Sequence, residues 1–222
     1  MNVIATMNNK MKVEIWSDIA CPYCYIGKRR FEMALEKFDG RDNVEIIWRS
    51  FELDPNAELS YQENKYELLA KKYDQPLKWA ELACDDMAKQ GAEIGLTLDF
   101  DINKPTNTFN AQRLIHLATE SGKEQEVQNL LFESFFAKGE LISQNDILLN
   151  IAANAGIDKT KAEQLLNSDV YSDQVKEDEA LATELGIESV PFFIIDEAYG
   201  MEGAQPVDHI LTMLENVSNG AI

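Results

Sequence analysis

Cys21-Pro22-Tyr23-Cys24 stands between a strand-like run, Lys12-Val13-Glu14-Ile15-Trp16, and a helix-like run from Tyr25 to Phe38. The first backbone N–H groups of a helix have no partner inside it, and the helix dipole places partial positive charge there. A thiolate at that end is stabilised, so its pKa falls, and the thiolate is the form that attacks a disulfide. Pro22 suits the first helical position, which exposes the first sulfur. On this reading Cys21 attacks, and Cys24, one turn into the helix, is the shielded resolving sulfur. A Cys-x-x-Cys is also half of a structural zinc site, which needs four ligands. Beyond the pair the chain offers only Cys84, His116 and His209, with no second Cys-x-x-Cys and no His pair at ligand spacing. No metal is therefore expected, and redox chemistry is the better reading of the motif.

Working outward, Phe31, Ala34, Leu35 and Phe38 recur at helical spacing and form a stripe able to lie on a sheet, with Gly40 as the expected stop. Lys28, Arg29 and Arg30 read as a solvated face. Val44 to Phe51 is a second strand, and strand–helix–strand at this spacing predicts a parallel βαβ unit. From Ser60 to about Asp169 the chain changes to helix after helix, with apolar stripes such as Tyr66, Leu69, Ala70, Tyr73 and Ala111, Leu114, Ile115, Ala118. Leu96 to Phe100 reads as a short extended stretch. Cys84 falls on one apolar stripe and is expected to be a buried, inert core residue. Val175 to Leu185 is a helix stopped by Gly186. Ser189 to Asp196 is a strand opened by Pro191, Ala198 to Met201 pairs with it as a hairpin, and Pro206 starts a last helix. His116 and His209 are expected to face solvent. The residues around Pro191 allow two accounts: a proline that opens an edge strand, or a cis Val190–Pro191 bond that turns the Val190 backbone outward beside the dithiol.

The balance of 39 acidic against 20 basic residues, a net charge of −19, argues against nucleic acid or an anionic membrane surface as partner. No apolar run reaches the roughly 18 residues of a membrane span. Three cysteines are too few for a disulfide-stapled secreted scaffold. The polar stretch Met1 to Lys10 has no secretory pattern, so a cytoplasmic location is expected. Met11 is an alternative start.

Taken together, Ser17-Asp18-Ile19-Ala20-Cys21-Pro22-Tyr23-Cys24-Tyr25-Ile26-Gly27-Lys28, Phe51-Glu52-Leu53-Asp54-Pro55, Asn107-Thr108 with Ala111 and Arg113-Leu114, Gly186-Ile187 with Val190-Pro191-Phe192-Phe193, and Gly203-Ala204-Gln205 resemble the DsbA superfamily, most closely its cytoplasmic FrnE-like branch. The resemblance implies an α/β, thioredoxin-like fold with a large all-helical insertion. Residues 11–58 and 170–218 would be the two halves of the thioredoxin-like domain and 59–169 the insertion. It further implies that Pro191 is cis and faces the dithiol, and that Asn107 and the Gly203–Gln205 loop lie near substrate. Pro22, Tyr23, Val190, Pro191 and Asn107 are thus the expected substrate-binding residues. Two positions depart from the branch: Tyr23 stands where Trp is frequent, and Gln112 where His is frequent. Related 2-hydroxychromene-2-carboxylate isomerases and kappa-class glutathione transferases carry serine where Cys21 stands, and they bind glutathione. Keeping both cysteines favours a thiol–disulfide oxidoreductase acting on protein or small-molecule thiols and disulfides, with no bound cofactor and glutathione as a candidate co-substrate. The alternatives are a glutathione-dependent isomerase or transferase acting on a small hydrophobic molecule, and a non-catalytic acidic binding protein or holdase.

Overall fold

The computed structural model describes residues 10–221, so the expectation for the lead segment and the alternative start lies almost entirely outside the described residues. Four strands form one mixed sheet in the order β2-β1-β3-β4. Strand β1 (Met11–Ser17) pairs in parallel with β2 (Val44–Ser50), and the 16-residue helix α1 (Pro22–Lys37) crosses between them. Strand β3 (Phe192–Ile195) runs antiparallel to β1, and β4 (Tyr199–Glu202) antiparallel to β3. The β3–β4 hairpin turns at Asp196 and Glu197, both at positive φ, with Ala198 N–H bonded to Ile195 O. A turn of this hand matches the twist of the strands it joins.

Alternation along β1 sorts its residues between two cores, as the period of two requires. Val13 and Ile15 face Phe31 and Ala34 of α1 and Phe38 just beyond it, together with Ile210 and Leu214 of α9 (Val207–Ser218). Trp16 faces the other way, into a larger cluster that contains both Cys21 and Cys24. That second core is supplied by α2 (Lys65–Lys72), α3 (Leu77–Ala92), α4 (Phe109–Thr119), α5 (Glu124–Phe132), α6 (Asn145–Asn154), α7 (Lys159–Leu166) and α8 (Ser172–Glu184). After Phe132 the α5 backbone widens over Glu133–Ala137, where Lys138 N–H reaches back five residues to Glu133 O. The aromatics around this widening pack against the dithiol helix: the Tyr25 ring stacks on Phe132 at 4.8 Å between centroids.

Several local expectations change. Helix α1 stops at Lys37 because Phe38 is extended, not because of Gly40; Gly40 has an ordinary negative φ and instead leaves room for the Phe38 ring, which an added Cβ would meet at 2.7 Å. Leu96 to Phe100 forms no strand; Asp99 N–H bonds Phe136 O, a single link to the widened turn. Lys28 is not on a solvated face. It is 1% exposed, bonded to Glu32 and to Asn129 Oδ1 at 2.6 Å, with Trp48 beneath its ammonium at 5.8 Å. Its charge ties α1 to α5, a long-range partnership that periodicity cannot reveal. His116 is also partly buried, between Ser50 Oγ at 3.0 Å and Asp178 Oδ2 at 3.3 Å, whereas His209 is exposed.

Candidate active site

Cys21 caps α1 in an extended conformation, with Pro22 at the first helical position. Its carbonyl accepts the Cys24 N–H at 3.1 Å, and its own N–H is held by Asp18 O at 3.1 Å. Asp18 organises the approach to the helix. One carboxylate oxygen accepts the Leu53 N–H at 2.8 Å and the other the Ala20 N–H at 3.1 Å, while the Asp18 N–H points at Cys24 Sγ at 3.4 Å. All three cysteines are free, and both sulfurs of the pair belong to buried residues, Cys21 5% and Cys24 1% exposed. The helix start therefore does not expose the first sulfur as expected: the Val190 backbone covers it.

The two thiols have opposite environments. A hydrogen bond from Cys24 holds the Cys21 pKa below that of an ordinary thiol; the Cys24 and Tyr23 backbone groups add to this, against the cost of burial. Burial pushes Cys24 well up, and the bond it donates to Cys21 raises it further. The asymmetry is what a helix N-cap sulfur and a sulfur one turn inside should show.

The cis Val190–Pro191 bond lies directly across the dithiol, and the Cys21 thiol reaches Val190 O at 3.5 Å. Pro191 packs over α1 at Gly27, where an added Cβ would come within 2.7 Å of the proline ring. The following loop closes over both: Gly203 N–H bonds Pro191 O at 2.8 Å, and Arg30 Nη1 bonds Ala204 O at 2.6 Å. Tyr23 is 40% exposed beside the motif. Asn107 is engaged with the backbone, accepting from Phe109 N–H at 3.0 Å and donating its own N–H to Glu58 O at 2.9 Å. Its neighbours Thr106 and Thr108, with Asp18, Ala20 and Lys65, line a cavity of about 430 Å³ next to the motif.

Residues 12–215 match the family model described as the DSBA-like thioredoxin domain. The chain belongs to the DsbA-like thioredoxin family. Within this family it is 37% identical to the probable DsbA oxidoreductase SCO1869 from Streptomyces coelicolor, with a TM-score of 0.90 over 94% of this chain and 90% of that one. It is 30% identical to the uncharacterized protein YwbO of Bacillus subtilis (strain 168), over 83% of this chain and 86% of that protein. A 2-hydroxychromene-2-carboxylate isomerase shares the fold at 15% identity and a TM-score of 0.66, covering 95% of each chain. The chain is thus a DsbA-like, thioredoxin-fold protein of an oxidoreductase family, with no helix among the described residues long and apolar enough to cross a membrane.

Several charged groups around this DsbA-like site carry no signal in the sequence. The Lys65 ammonium is brought near Cys21, Cys84 and Asp18; burial draws its pKa down while those three groups push it up. Cys84 itself is fully buried, and burial pushes its thiol up to about 11. Cys84→Ala is expected to cost about 1 kcal/mol in denaturant unfolding, the loss of a small buried group, and to leave the reaction rate of the Cys21 thiol unchanged.

Glu52 is 8% exposed, and one of its carboxylate oxygens is buried without a hydrogen-bond partner. Burial first, then the charges of Glu179, Asp18 and Asp54, raise it to about 8. A carboxyl whose folded pKa lies above its unfolded value keeps its proton where the unfolded chain has lost it, so its contribution to stability falls as pH rises from roughly 4.3 toward 8. Glu52→Gln should therefore raise the melting temperature more at pH 8.5 than at pH 5. The difference is on the order of 1 kcal/mol after solvent screening, or about 2–4 °C. Equal gains at both pH values would mean that Glu52 is already ionised in the fold.

Proposed function

We propose that the protein is a dithiol–disulfide oxidoreductase in which Cys21 attacks and Cys24 resolves. The observation that carries the reading is the opposed chemistry of two buried sulfurs: one at a helix N-cap, its pKa drawn down by the bond from Cys24, the other one turn inside, its pKa pushed up by burial. In the reductive direction the Cys21 thiolate attacks a substrate disulfide, one substrate thiolate leaves, and a mixed disulfide forms. Cys24 then attacks Cys21 Sγ, expels the second thiolate, and leaves a Cys21–Cys24 disulfide. The substrate gains the two electrons that the dithiol loses. The direction in the cell follows the reduction potential of the partner. Val190 and Pro191 offer a main-chain edge beside Cys21 along which an extended segment can dock without a particular sequence being read. Pro22 and Tyr23 belong to the motif itself, and Thr106 and Thr108, on either side of Asn107, line the cavity beside Asp18 and Ala20.

The test is direct. The reduced protein, incubated with a disulfide such as glutathione disulfide, should lose two hydrogens by mass, with the bond mapped to Cys21 and Cys24. A protein that carries only a stable adduct at Cys21 would fail it. The motif blocks from Phe51 to Pro55 and from Gly203 to Gln205 support membership of the FrnE-like branch, and the sparing use of cysteine supports a cytoplasmic location.

One observation favours a second reading. The cavity of about 430 Å³ beside Ala20 is lined by Lys65, Lys71 and Lys72 against Asp18 and Asp54, a cationic excess in a strongly acidic chain. It suits an anionic thiol such as glutathione, either as the thiol exchanged or as co-substrate of an isomerase or transferase. Activity that survives loss of Cys24 would favour the latter.

A further inference from the structure

Six buried side-chain polar atoms among the described residues lack a hydrogen-bond partner, and three of them, Ser17 Oγ, Trp48 Nε1 and Gln128 Oε1, belong to residues lining one cavity. This cavity, of about 10 Å³, lies between the end of β1, strand β2 and helices α4 and α5. Its size is at the lower edge of what one water requires. The chemistry of the three atoms is complementary to a water. The indole N–H only donates, the amide oxygen only accepts, and the hydroxyl does either. Three partners is also the usual number for a buried water, and three unpaired polar groups gathered in one place are otherwise difficult to account for. The neighbouring Gln112 has no N–H left to give the Gln128 amide oxygen, because both are donated to Ser17 O at 3.0 Å and Phe51 O at 3.2 Å.

The cavity touches the chemistry through Ser17. The Ser17 hydroxyl leans on the Cys24 thiol and favours its anion, without a well-formed hydrogen bond that would satisfy the oxygen. The lining also includes His116, whose Nε2 faces Ser50 Oγ and Asp178 Oδ2, and whose side chain is 18% exposed.

We propose that this cavity binds one water molecule, and that the water, through Ser17, carries away the proton Cys24 releases as it attacks the mixed disulfide. The second half of that statement rests on the exchange reading above; the water site does not. In the step, the Cys24 S–H proton passes to Ser17 Oγ and the Ser17 hydroxyl proton to the water. A water proton passes to Ser50 Oγ, which also lines the cavity, and the Ser50 hydroxyl proton to His116 Nε2 at 3.0 Å. The Cys21–Cys24 bond forms, the bond from Cys21 to the substrate sulfur breaks, and the substrate leaves as a thiolate. The imidazolium so formed faces the Asp178 carboxylate and gives its proton to solvent or to the departing thiolate. The charged and titratable groups around this route are Cys21 and Asp18 beside Cys24, and Arg49 and Asp178 beside His116.

Two measurements test it. In protein labelled at the indole nitrogens, the Trp48 N–H should show a rotating-frame cross-peak to long-lived water, and Gln128→Leu should remove it. The Trp16 indole, bonded to Asp178 O at 3.0 Å, is the internal comparison. Separately, a mixed disulfide of Cys21 with thionitrobenzoate is prepared, and release of the coloured thiolate by Cys24 is followed. Ser17→Ala should slow release roughly a hundredfold and move its pH profile upward, and His116→Gln should slow it as well. Absence of a water cross-peak at Trp48 in the unmodified protein overturns the site. A cross-peak with unchanged release in both variants overturns the relay. If the unmodified protein never releases the thiolate, the exchange reading fails and the relay with it, while the cross-peak still decides the water.

Discussion

Cys21→Ser is expected to reduce thiol–disulfide exchange by at least about a thousandfold, because a serine hydroxyl at the same helix N-cap neither ionises near neutral pH nor accepts a sulfur partner. Cys24→Ala should behave differently. Attack at position 21 continues, but the mixed disulfide has no resolving sulfur and accumulates as a covalent complex visible on a non-reducing gel. The same asymmetry predicts the order of alkylation. Cys21, held below the usual thiol range by the bond from Cys24, should react at a pH where a free cysteine, with pKa about 8.5, is still mostly protonated. Cys24, pushed up by burial, should not react in the folded protein. Alkylation of Cys24 ahead of Cys21 would reverse the assigned roles.

Arg49→Ala is the substitution expected to cost the most stability. Its guanidinium joins two buried carboxylates from different parts of the fold: Glu14 on β1 at 2.6 Å and Asp178 on α8 at 2.9 Å. Asp178 also accepts the Ser50 N–H at 2.9 Å, and its carbonyl takes the Trp16 indole. Removing one partner from such a group leaves buried charge uncompensated, at a cost of about 3–5 kcal/mol. For a chain of this size that lowers the melting temperature by roughly 6–20 °C. The pH dependence has a definite sign. Burial pushes Glu14 up, but the bonds from Arg49 and Lys12 outweigh it and hold the carboxyl below its ordinary value. That contribution is fully present above the unfolded pKa, near 4.3, and is lost as pH falls through the lower folded one. The variant should therefore differ most from the parent at neutral pH, and the gap should narrow below about pH 4. A constant gap across that range would show that Glu14 gains nothing from the arginine.

Local chemistry determined much of this protein. The strand before the dithiol, the proline at the first position of α1, the glycine that stops α8 and the run of amphipathic helices each depend on neighbours a few residues away, so their residue types were enough to read them. The resemblance carried by the blocks around Cys21 and Pro191 added the cis bond, which the residues alone left open. Tertiary structure decided what long-range electrostatics decide. A lysine in a Lys-Arg-Arg run reads as solvated, yet Lys28 is buried because Asn129, about a hundred residues later, is packed where its ammonium can reach it. Arg49, His116 and Asp178 come from three separated segments and meet only when α4 and α8 close on β2. The opposite proton affinities of Cys21 and Cys24 follow partly from the motif. Their neighbours Lys65, Asp18 and Ser17 act through burial and direction, which only the folded chain supplies.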